Sequence, residues 1–342
     1  MDFGGIERGV YDFALKARET GHSVAIVSGG GAFIRLLQGA GIKWHNVPMD
    51  RKNLFVFLDS CRRLKKIVEE EGPDIIHFQS RFTCWIASSV MKFFPHIPWV
   101  TSIHNFHGMR WYSRSVAKGN LVITVSKALE RYAVEYLKAP AEILRVVYNG
   151  IDDRFLDITR TPSDIPVIGM IARLTAWKGH FIFLEAIKKL HNEGIRSKAL
   201  IVGSGSDAYR TKLEKWISEN KMHPYVEIVR MDGMEALGKI DLLVVPSLEP
   251  EGFGRTVVEA QMAGTPVIAT NLGAVPELIE EAKTGFLVEP GNIEQLAYKI
   301  KFILQNPGVV SNAVRTARQN ALENFTVRHM TEKILGVYRE LL

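Results

Sequence analysis

Short apolar runs alternate with amphipathic segments along almost the whole chain. In the first half such runs fall at residues 74–78, 99–103 and 121–125, and segments with the apolar spacing of a helix lie between them. Parallel strands need a crossover connection, which is usually a helix. The alternation therefore predicts an α/β fold, with mainly parallel sheets covered by helices on both faces.

The chain length and one polar stretch predict two domains. A chain of 342 residues is long enough for two hydrophobic cores. The alternation pauses at residues 153–165, which predicts a linker between domains at 1–152 and 166–325. Because both halves show the same alternation, we expect two Rossmann-like, doubly wound domains facing a cleft.

Composition indicates a soluble protein of a reducing compartment. Hydrophobic residues make up 46% and charged residues 23% of the chain, as in ordinary globular proteins. The two cysteines, Cys61 and Cys84, match neither a disulfide framework nor a metal site. No secretory signal or membrane-spanning run is evident. These features predict a cytoplasmic location.

The positive charge is confined to the first half. Residues 1–160 hold 22 Lys or Arg and 16 Asp or Glu, whereas residues 161–342 hold 21 of each. No nucleic-acid-binding motif accompanies this excess, so a nucleic acid partner is not predicted. Aromatic residues are interspersed with the basic ones, at Trp85, Trp99 and in 93–94 and 109–114. This mixture favours an anionic membrane surface or an acidic acceptor, although a merely soluble basic surface fits the composition equally well.

The run Glu-Gly-Phe-Gly-Arg-Thr-Val-Val-Glu, residues 251–259, carries the clearest chemical signal. It follows an apolar strand at 241–246 and opens a helix. Its glycines let backbone approach a ligand closely, and the first amides of a helix bind anionic oxygens. Two carboxylates beside an anion site are poor phosphate ligands but good acceptors for hydroxyl groups. The run therefore predicts a ligand that carries both phosphate and sugar hydroxyls.

This run resembles the Glu-x7-Glu motif of family 4 glycosyltransferases, which are retaining enzymes of the GT-B fold, and residues 267–270, 273–277 and 284–288 resemble the same family. The resemblance implies that Glu259 binds the ribose and that Glu251 contacts the transferred sugar. It also implies a final helix, 326–342, that crosses back to the first domain. The other residues implied to bind the nucleotide sugar are Gly252, Phe253, Gly254, Arg255, Thr256, Arg230, Gly4 and Gly5.

Arg173 and Lys178 lie between a strand and the following helix, at the sheet edge where such folds bind ligands. Two cations at this position could hold a diphosphate. Together they resemble the Arg-x4-Lys pair of the same family, which implies that they stabilise the departing diphosphate. His104 follows a strand of the first half and resembles the family histidine near the reacting carbon. Without that resemblance, a histidine at a strand end is more often structural.

The beginning of the chain departs from the family pattern. A doubly wound domain normally opens with a buried central strand, but only three residues precede Gly4 and Gly5. We expect that the chain starts about ten residues late and that the first sheet lacks its middle strand. The alternative is that another segment fills the gap.

The predicted function is retaining transfer of a sugar from a nucleoside diphosphate sugar, UDP- or GDP-linked. The predicted acceptor is a glycan or a lipid-linked glycan of the cell envelope, reached from the inner face of the plasma membrane. The metal-binding Asp-x-Asp signal does not occur, so we expect neither a catalytic metal nor another cofactor. The alternatives are a nucleotide-sugar epimerase of the same fold and a catalytically silent sugar-nucleotide-binding protein.

Overall fold

The computed structural model describes residues 4–49, 53–108, 110–161 and 163–342. Contacts divide the chain into two compact units. Unit 1 comprises Met1–Gly150 and Thr326–Leu342, and unit 2 comprises Ile151–Phe325. Each unit combines parallel sheets with helices, so the predicted α/β fold with two Rossmann-like domains is confirmed.

Unit 1 contains two sheets in which every strand pair is parallel. The first pairs β1 (Ala25–Ser28) with β2 (Lys43–Asn46), and the second has the order β3-β4-β5-β6. The strands of the second sheet are β3 (Ile76–Phe78), β4 (Trp99–Ile103), β5 (Leu121–Thr124) and β6 (Leu144–Val146). Among the described residues no strand connects the two sheets. The predicted loss of a middle strand concerns the chain before Gly4, which lies outside the described residues, and it stays a prediction.

Helices accompany these strands in the described part of residues 4–150. Their bounds are α1 (Gly5–Glu19), α2 (Phe33–Gly39), α3 (Leu54–Glu71), α4 (Arg81–Val90), α5 (Arg110–Ser113) and α6 (Lys127–Tyr132). Local sequence sets the ends of α3, because the Asn53 side chain accepts a hydrogen bond from the Val56 amide and Gly72 adopts φ 53°. A reciprocal cap between Ser80 and Thr83 sets the start of α4.

Unit 2 is built on one six-stranded sheet with the order β12-β11-β10-β7-β8-β9, and all of its pairs are parallel. The strands are β7 (Val167–Ile171), β8 (Lys198–Val202), β9 (Val226–Val229), β10 (Leu242–Val245), β11 (Val267–Thr270) and β12 (Phe286–Val288). The helices are α7 (His180–Asn192), α8 (Asp207–Glu219), α9 (Gly233–Leu237), α10 (Arg255–Met262), α11 (Val275–Leu278), α12 (Ile293–Gln305) and α13 (Pro307–Asn324). Ile168, Phe183 and Phe286 are among the buried side chains of its core.

The stretch predicted as a linker, 153–165, belongs to unit 2. Asp153–Asp157 form a 3-10 turn in which Phe155 is buried. The Thr161 amide donates to the Gly238 carbonyl, and the Arg160 guanidinium donates to the Gly264 carbonyl. These contacts show that the polar composition of the stretch reflects a surface position on unit 2.

Unit 1 is completed by α14 (Val327–Arg339). Its Met330, Ile334 and Val337 pack in one cluster with Val100 of β4 and Ile123 of β5. The helix is therefore part of the unit 1 core, although unit 2 separates it from the rest of that core in the chain.

Candidate functional site

The order of strands in unit 2 reverses between β7 and β10. From β7 the chain continues to β8 and β9 on one side, whereas β10 leads to β11 and β12 on the other. In an open parallel sheet the loops at the carboxyl ends of two such strands separate and leave a crevice for a ligand. The loops at this point are 172–179 after β7 and 246–254 after β10.

Gly179 lets these two loops approach each other. It has φ 80°, and a Cβ atom placed there would lie 1.9 Å from the Pro246 carbonyl oxygen. Only glycine fits such a contact with that backbone conformation. The close approach brings Lys178, the residue before Gly179, next to the loop that follows β10.

Lys178 and Glu251 form an ion pair across this point. The Lys178 Nζ atom lies 2.8 Å from Oε1 of Glu251, and the Ser247 hydroxyl donates to the same oxygen at 2.5 Å. The two charged side chains are only 12% and 10% exposed, respectively. The Trp177 ring lies under the ammonium, at 4.2 Å from its centroid. The structure therefore brings together one predicted cation and one predicted acid in a largely desolvated pair.

Arg173, the other predicted cation, leaves the same loop after β7. It is exposed, and its side chain has no hydrogen bond or ion pair with any part of the chain that the structure describes. A guanidinium in this position is available to an anionic ligand.

The helix that carries the motif, α10, begins at a buried glycine turn. Gly254 has φ 105° and precedes the first helical residue. The Glu251 carbonyl accepts a hydrogen bond from the Ala274 amide at 3.0 Å, and a Cβ atom at Gly273 would lie 2.6 Å from that carbonyl oxygen. The Phe253 ring packs on Phe325, with centroids 5.9 Å apart. These contacts fix the turn and direct the first amides of α10 toward the loop, where an anion can bind.

The remaining predicted residues of unit 2 occupy different environments. Glu259 is 17% exposed, and its Oε1 atom lies 3.6 Å from Nε of Arg255, one turn earlier on α10. Gly252 is buried and Thr256 is partly buried, whereas Arg230 is exposed after β9.

The Gly203–Gly205 turn has a packing role. A Cβ atom at Gly203 would lie 1.9 Å from the Ala172 carbonyl oxygen, and one at Gly205 would lie 2.4 Å from that of Leu174. The Leu174 amide also donates to the Ser204 carbonyl at 2.9 Å. These glycines hold the backbone on either side of Arg173 against the loop after β8.

In unit 1, His104 follows β4 and is held by Gln79, which follows β3. The Nε2 atom of His104 lies 2.8 Å from Oε1 of Gln79. An amide oxygen only accepts hydrogen bonds, so Nε2 carries the proton and Nδ1 remains an acceptor. Burial, together with the nearby His107, lowers the pKa of His104 to about 4. His104 is therefore neutral near pH 7.

A second partly buried histidine, His77, lies on β3 next to this pair. Its Nδ1 atom lies 2.7 Å from the Tyr338 hydroxyl and its Nε2 atom lies 2.7 Å from the Ser102 hydroxyl. Burial, with a smaller contribution from His104, lowers the pKa of His77 to about 3. Burial also raises the pKa of Tyr338. The sequence analysis did not assign His77 a catalytic role, and both of its ring nitrogens have protein partners.

Sequence reasoning missed Gln79, Ser102 and Tyr338. The rule that selected His104, a polar residue at the carboxyl end of a parallel strand, also applies to Gln79. Tyr338 is far from His77 in the sequence and gives no local signal.

Gly4 and Gly5 lie at the start of α1, where the Gly4 carbonyl accepts a hydrogen bond from the Arg8 amide at 3.0 Å.

The aromatic residues of unit 1 divide into buried and exposed groups. Phe94 is buried, and Trp85 stacks on Tyr112, with centroids 5.7 Å apart. Phe93 and Trp111 are 64% and 68% exposed. Met109, which the sequence analysis grouped with them, lies outside the described residues. None of the helices in the described part of the chain has both the length and the apolar character that a bilayer crossing requires.

Two family models match this chain. The family described as Glycosyltransferase Family 4 matches residues 3–155, and the family described as Glycosyl transferases group 1 matches residues 152–322. The crystal structure of a glycosyltransferase from Rickettsia africae ESF-5 is 29% identical and has a TM-score of 0.89. The structural match covers 100% of this chain and 97% of the Rickettsia chain.

Two further structures share the fold at lower identity. Anabaena HepE, in complex with UDP and glucose, is 23% identical with a TM-score of 0.85 over 97% of this chain and 95% of its own. The lipopolysaccharide outer core galactosyltransferase WaaB is 16% identical with a TM-score of 0.77 over 99% of this chain and 97% of its own.

The fold that these structures share with this chain is GT-B, the class of two Rossmann-like domains that the sequence predicted. Within that class, the protein belongs to the group 1 glycosyltransferases, family 4.

Proposed function

We propose that this glycosyltransferase moves a sugar from a nucleoside diphosphate sugar, UDP- or GDP-linked, to a glycan or lipid-linked acceptor, with retention of configuration and without a metal. The observation that carries the proposal is the Lys178–Glu251 pair at the strand reversal of unit 2, with Arg173 exposed on the same loop. Anabaena HepE, which shares the fold, binds UDP and glucose. That likeness supports a uridine nucleotide as the first donor to test.

In the proposed reaction, the bond between the anomeric carbon and the diphosphate breaks and a bond to an acceptor hydroxyl oxygen forms. The hydroxyl proton leaves with a phosphate oxygen. Arg173 and Lys178 balance the charge that develops on the diphosphate, so no protonated carboxylic acid is needed. Attack on the face that the diphosphate leaves would give retention.

The ion pair explains how the same loops serve both parts of the donor. Lys178 already has one anionic partner in Glu251, so a bound diphosphate shares the ammonium with that carboxylate. Glu251 keeps a second oxygen to accept a hydroxyl of the sugar. On α10, Glu259 would accept hydrogen bonds from both ribose hydroxyls. Its side chain would then have to turn away from Arg255, whose Nε atom lies 3.6 Å from Oε1 of Glu259.

Envelope polysaccharide or lipopolysaccharide synthesis is the proposed setting. WaaB, which shares the fold, acts on the lipopolysaccharide outer core, and the basic excess of residues 1–160 suits an anionic acceptor or surface. A cytoplasmic enzyme attached to the inner face of the plasma membrane would meet both a cytoplasmic donor and a lipid-linked acceptor.

The test is release of nucleoside diphosphate from UDP-, GDP- and ADP-sugars in the presence and absence of glycan acceptors. We expect acceptor-dependent release that excess EDTA leaves unchanged, and NMR of the product should show the donor's anomeric configuration. Lys178→Ala should lower kcat by about 100-fold or more, because the ammonium balances the charge on the departing diphosphate. Glu251→Gln should also lower kcat, because it removes the anionic partner that holds this ammonium in place. Glu249→Gln, an exposed glutamate of the same loop, is the matched control.

Other outcomes identify the alternatives. Conversion of the donor sugar to its epimer without an acceptor would identify an epimerase. Nucleotide binding without any turnover would identify a silent binding protein. Unchanged kinetics in both site variants, with melting temperatures equal to that of the native protein, would reject the assigned site.

A further inference from the structure

The outward face of α3 changes its chemistry along the helix. At the first two turns three large apolar side chains are exposed: Leu54 at 67%, Phe55 at 84% and Leu58 at 55%. Exposed cations follow at Arg62, Arg63 and Lys66. The last turn carries the exposed acids Glu69 and Glu70. An ordinary surface helix places its apolar residues toward the core along its whole length. Here the apolar group lies at one end of the solvent face.

The apolar end of α3 lies at the carboxyl edge of the β3–β6 sheet in unit 1. The Phe57 ring contacts Phe82 near the start of α4, with centroids 6.4 Å apart, and Lys65 lies 4.5 Å from the ring centroid of Phe93, which follows α4. Helices α3 and α4 therefore run in the same direction. Because α4 starts directly after β3, the first turns of both helices lie at the carboxyl edge of the sheet, from which Gln79 and His104 also extend.

We propose that the first two turns of α3 dock onto a bilayer that contains anionic lipid. Apolar side chains at the tip enter the boundary between headgroups and acyl chains. Arg62 lies four residues behind Leu58, about 6 Å along the axis, which is the depth at which lipid phosphates lie when the tip is inserted. A large protein partner would bury a broader patch than this tip provides.

The charges on this face suit lipid phosphates. Arg62 has no ion-pair partner in the part of the chain that the structure describes. Arg63 pairs with Asp59 at 2.8 Å and Lys66 pairs with Glu70 at 3.4 Å, but both are exposed pairs of little net stability. A phosphate can therefore replace either carboxylate.

Docking at this edge would present the acceptor side of the enzyme to a lipid-linked acceptor. In that respect the inference rests on the proposed function, but the binding itself does not require catalysis. Trp111, which is 68% exposed and contacts Trp85 of α4 at 6.0 Å, extends the apolar surface at the same edge.

The test is flotation of the full chain with vesicles of phosphatidylcholine, with and without phosphatidylglycerol. We expect binding at low salt only when phosphatidylglycerol is present. The Phe55→Ser/Leu58→Ser double variant should bind at least about tenfold more weakly, and Arg62→Gln should bind about fivefold more weakly.

Two exposed aromatic residues elsewhere provide controls. Phe93 lies at the opposite end of α4, and Tyr298, 65% exposed, lies in unit 2; Phe93→Ser and Tyr298→Ser should float as the native protein does. Donor turnover with a soluble acceptor should be unchanged in the double variant, so a failure of this inference is distinct from a failure of the proposed function. The proposal is overturned if the native protein does not float, or if the double variant floats equally well. It is also overturned if the native protein is a dimer that the double variant dissociates.

Discussion

At the scale of single residues, the structure shows what holds the proposed catalytic groups in place. Sequence spacing selected Lys178 and Glu251 because each follows a strand, and the strand order makes those two strands neighbours. Their contact at 2.8 Å depends in addition on Ser247 and Gly179. Neither of these has a chemical signature of its own. The residues of the proposed pair were therefore accessible from sequence, whereas the residues that position them were not.

Gln79 gives a sharp prediction of this kind. In Gln79→Glu, the new carboxylate would accept a hydrogen bond from Nε2–H of His104. Its negative charge would favour the imidazolium, so the pKa of His104 should rise from about 4. Protonated His104 loses its acceptor at Nδ1. We therefore expect the acid limb of the kcat/KM profile to move to higher pH, with activity recovering above pH 8.

Gln79→Met is the matched control, because it removes the acceptor without adding charge. It should lower kcat/KM evenly at all pH values and leave the acid limb in place. If Gln79→Glu and the native protein share one acid limb, His104 does not act through its neutral form.

At the scale of elements, apolar runs predicted strands at places where the structure has them. The run at 99–103 has the bounds of β4, and the runs at 74–78 and 121–125 contain β3 and β5. The edge strand β2 reads Lys-Trp-His-Asn and offers no apolar run, and it forms because β1 pairs with it in parallel. The four-residue helices α5 and α11 are too short for a periodic signal.

The two glycines that flank α7 permit a matched experiment on the loop. Gly179 and Gly194 have φ 80° and 78°, but only Gly179 would bring a Cβ atom against another chain segment, at 1.9 Å from Pro246; nothing lies within 4 Å of a Cβ atom at Gly194. Gly194→Ala should cost about 1 kcal/mol of unfolding free energy from backbone strain alone. Gly179→Ala should cost more and should also weaken UDP binding.

Urea denaturation and calorimetric titration with UDP measure the two effects. Equal stability losses in the two variants would show that the loops relax without cost. Equal UDP affinities would show that their spacing does not matter to the ligand.

At the scale of the whole molecule, the division into two parallel-sheet units was predictable from the repeated alternation. The return of the chain to unit 1 was implied only by the family resemblance, because nothing in the sequence of α14 states which core it joins. Its contacts with β4 and β5, and the Tyr338–His77 hydrogen bond, arise from residues more than 200 positions apart.

The low pKa values of His77 and His104 predict a loss of stability in acid. His77 and His104 have pKa values of about 3 and about 4 in the folded protein, against about 6.5 when unfolded. Between these values the unfolded chain binds protons that the folded chain does not, so stability falls as the pH drops from about 6.5 toward 4. The melting temperature should fall accordingly.

His77→Gln removes one of these two titrating groups. The melting temperature of the variant should therefore fall less steeply as the pH drops, whatever its value at pH 7. His22→Gln, at an exposed position, should keep the native slope. Scanning calorimetry from pH 7.5 to pH 4.5 checks both variants, and identical slopes in all three proteins would contradict the assignment.

The membership of α14 in the first core has a consequence for biogenesis. A ribosome synthesises residues 1–150, then all of unit 2, and only then the helix that supplies Met330, Ile334 and Val337. Domains generally fold in the order in which they emerge. Here the core of unit 1 cannot be completed until unit 2 has been translated, and until then Val100 and Ile123 lack their contacts with α14. The nascent protein thus exposes an apolar surface for the time that about 175 residues take to appear.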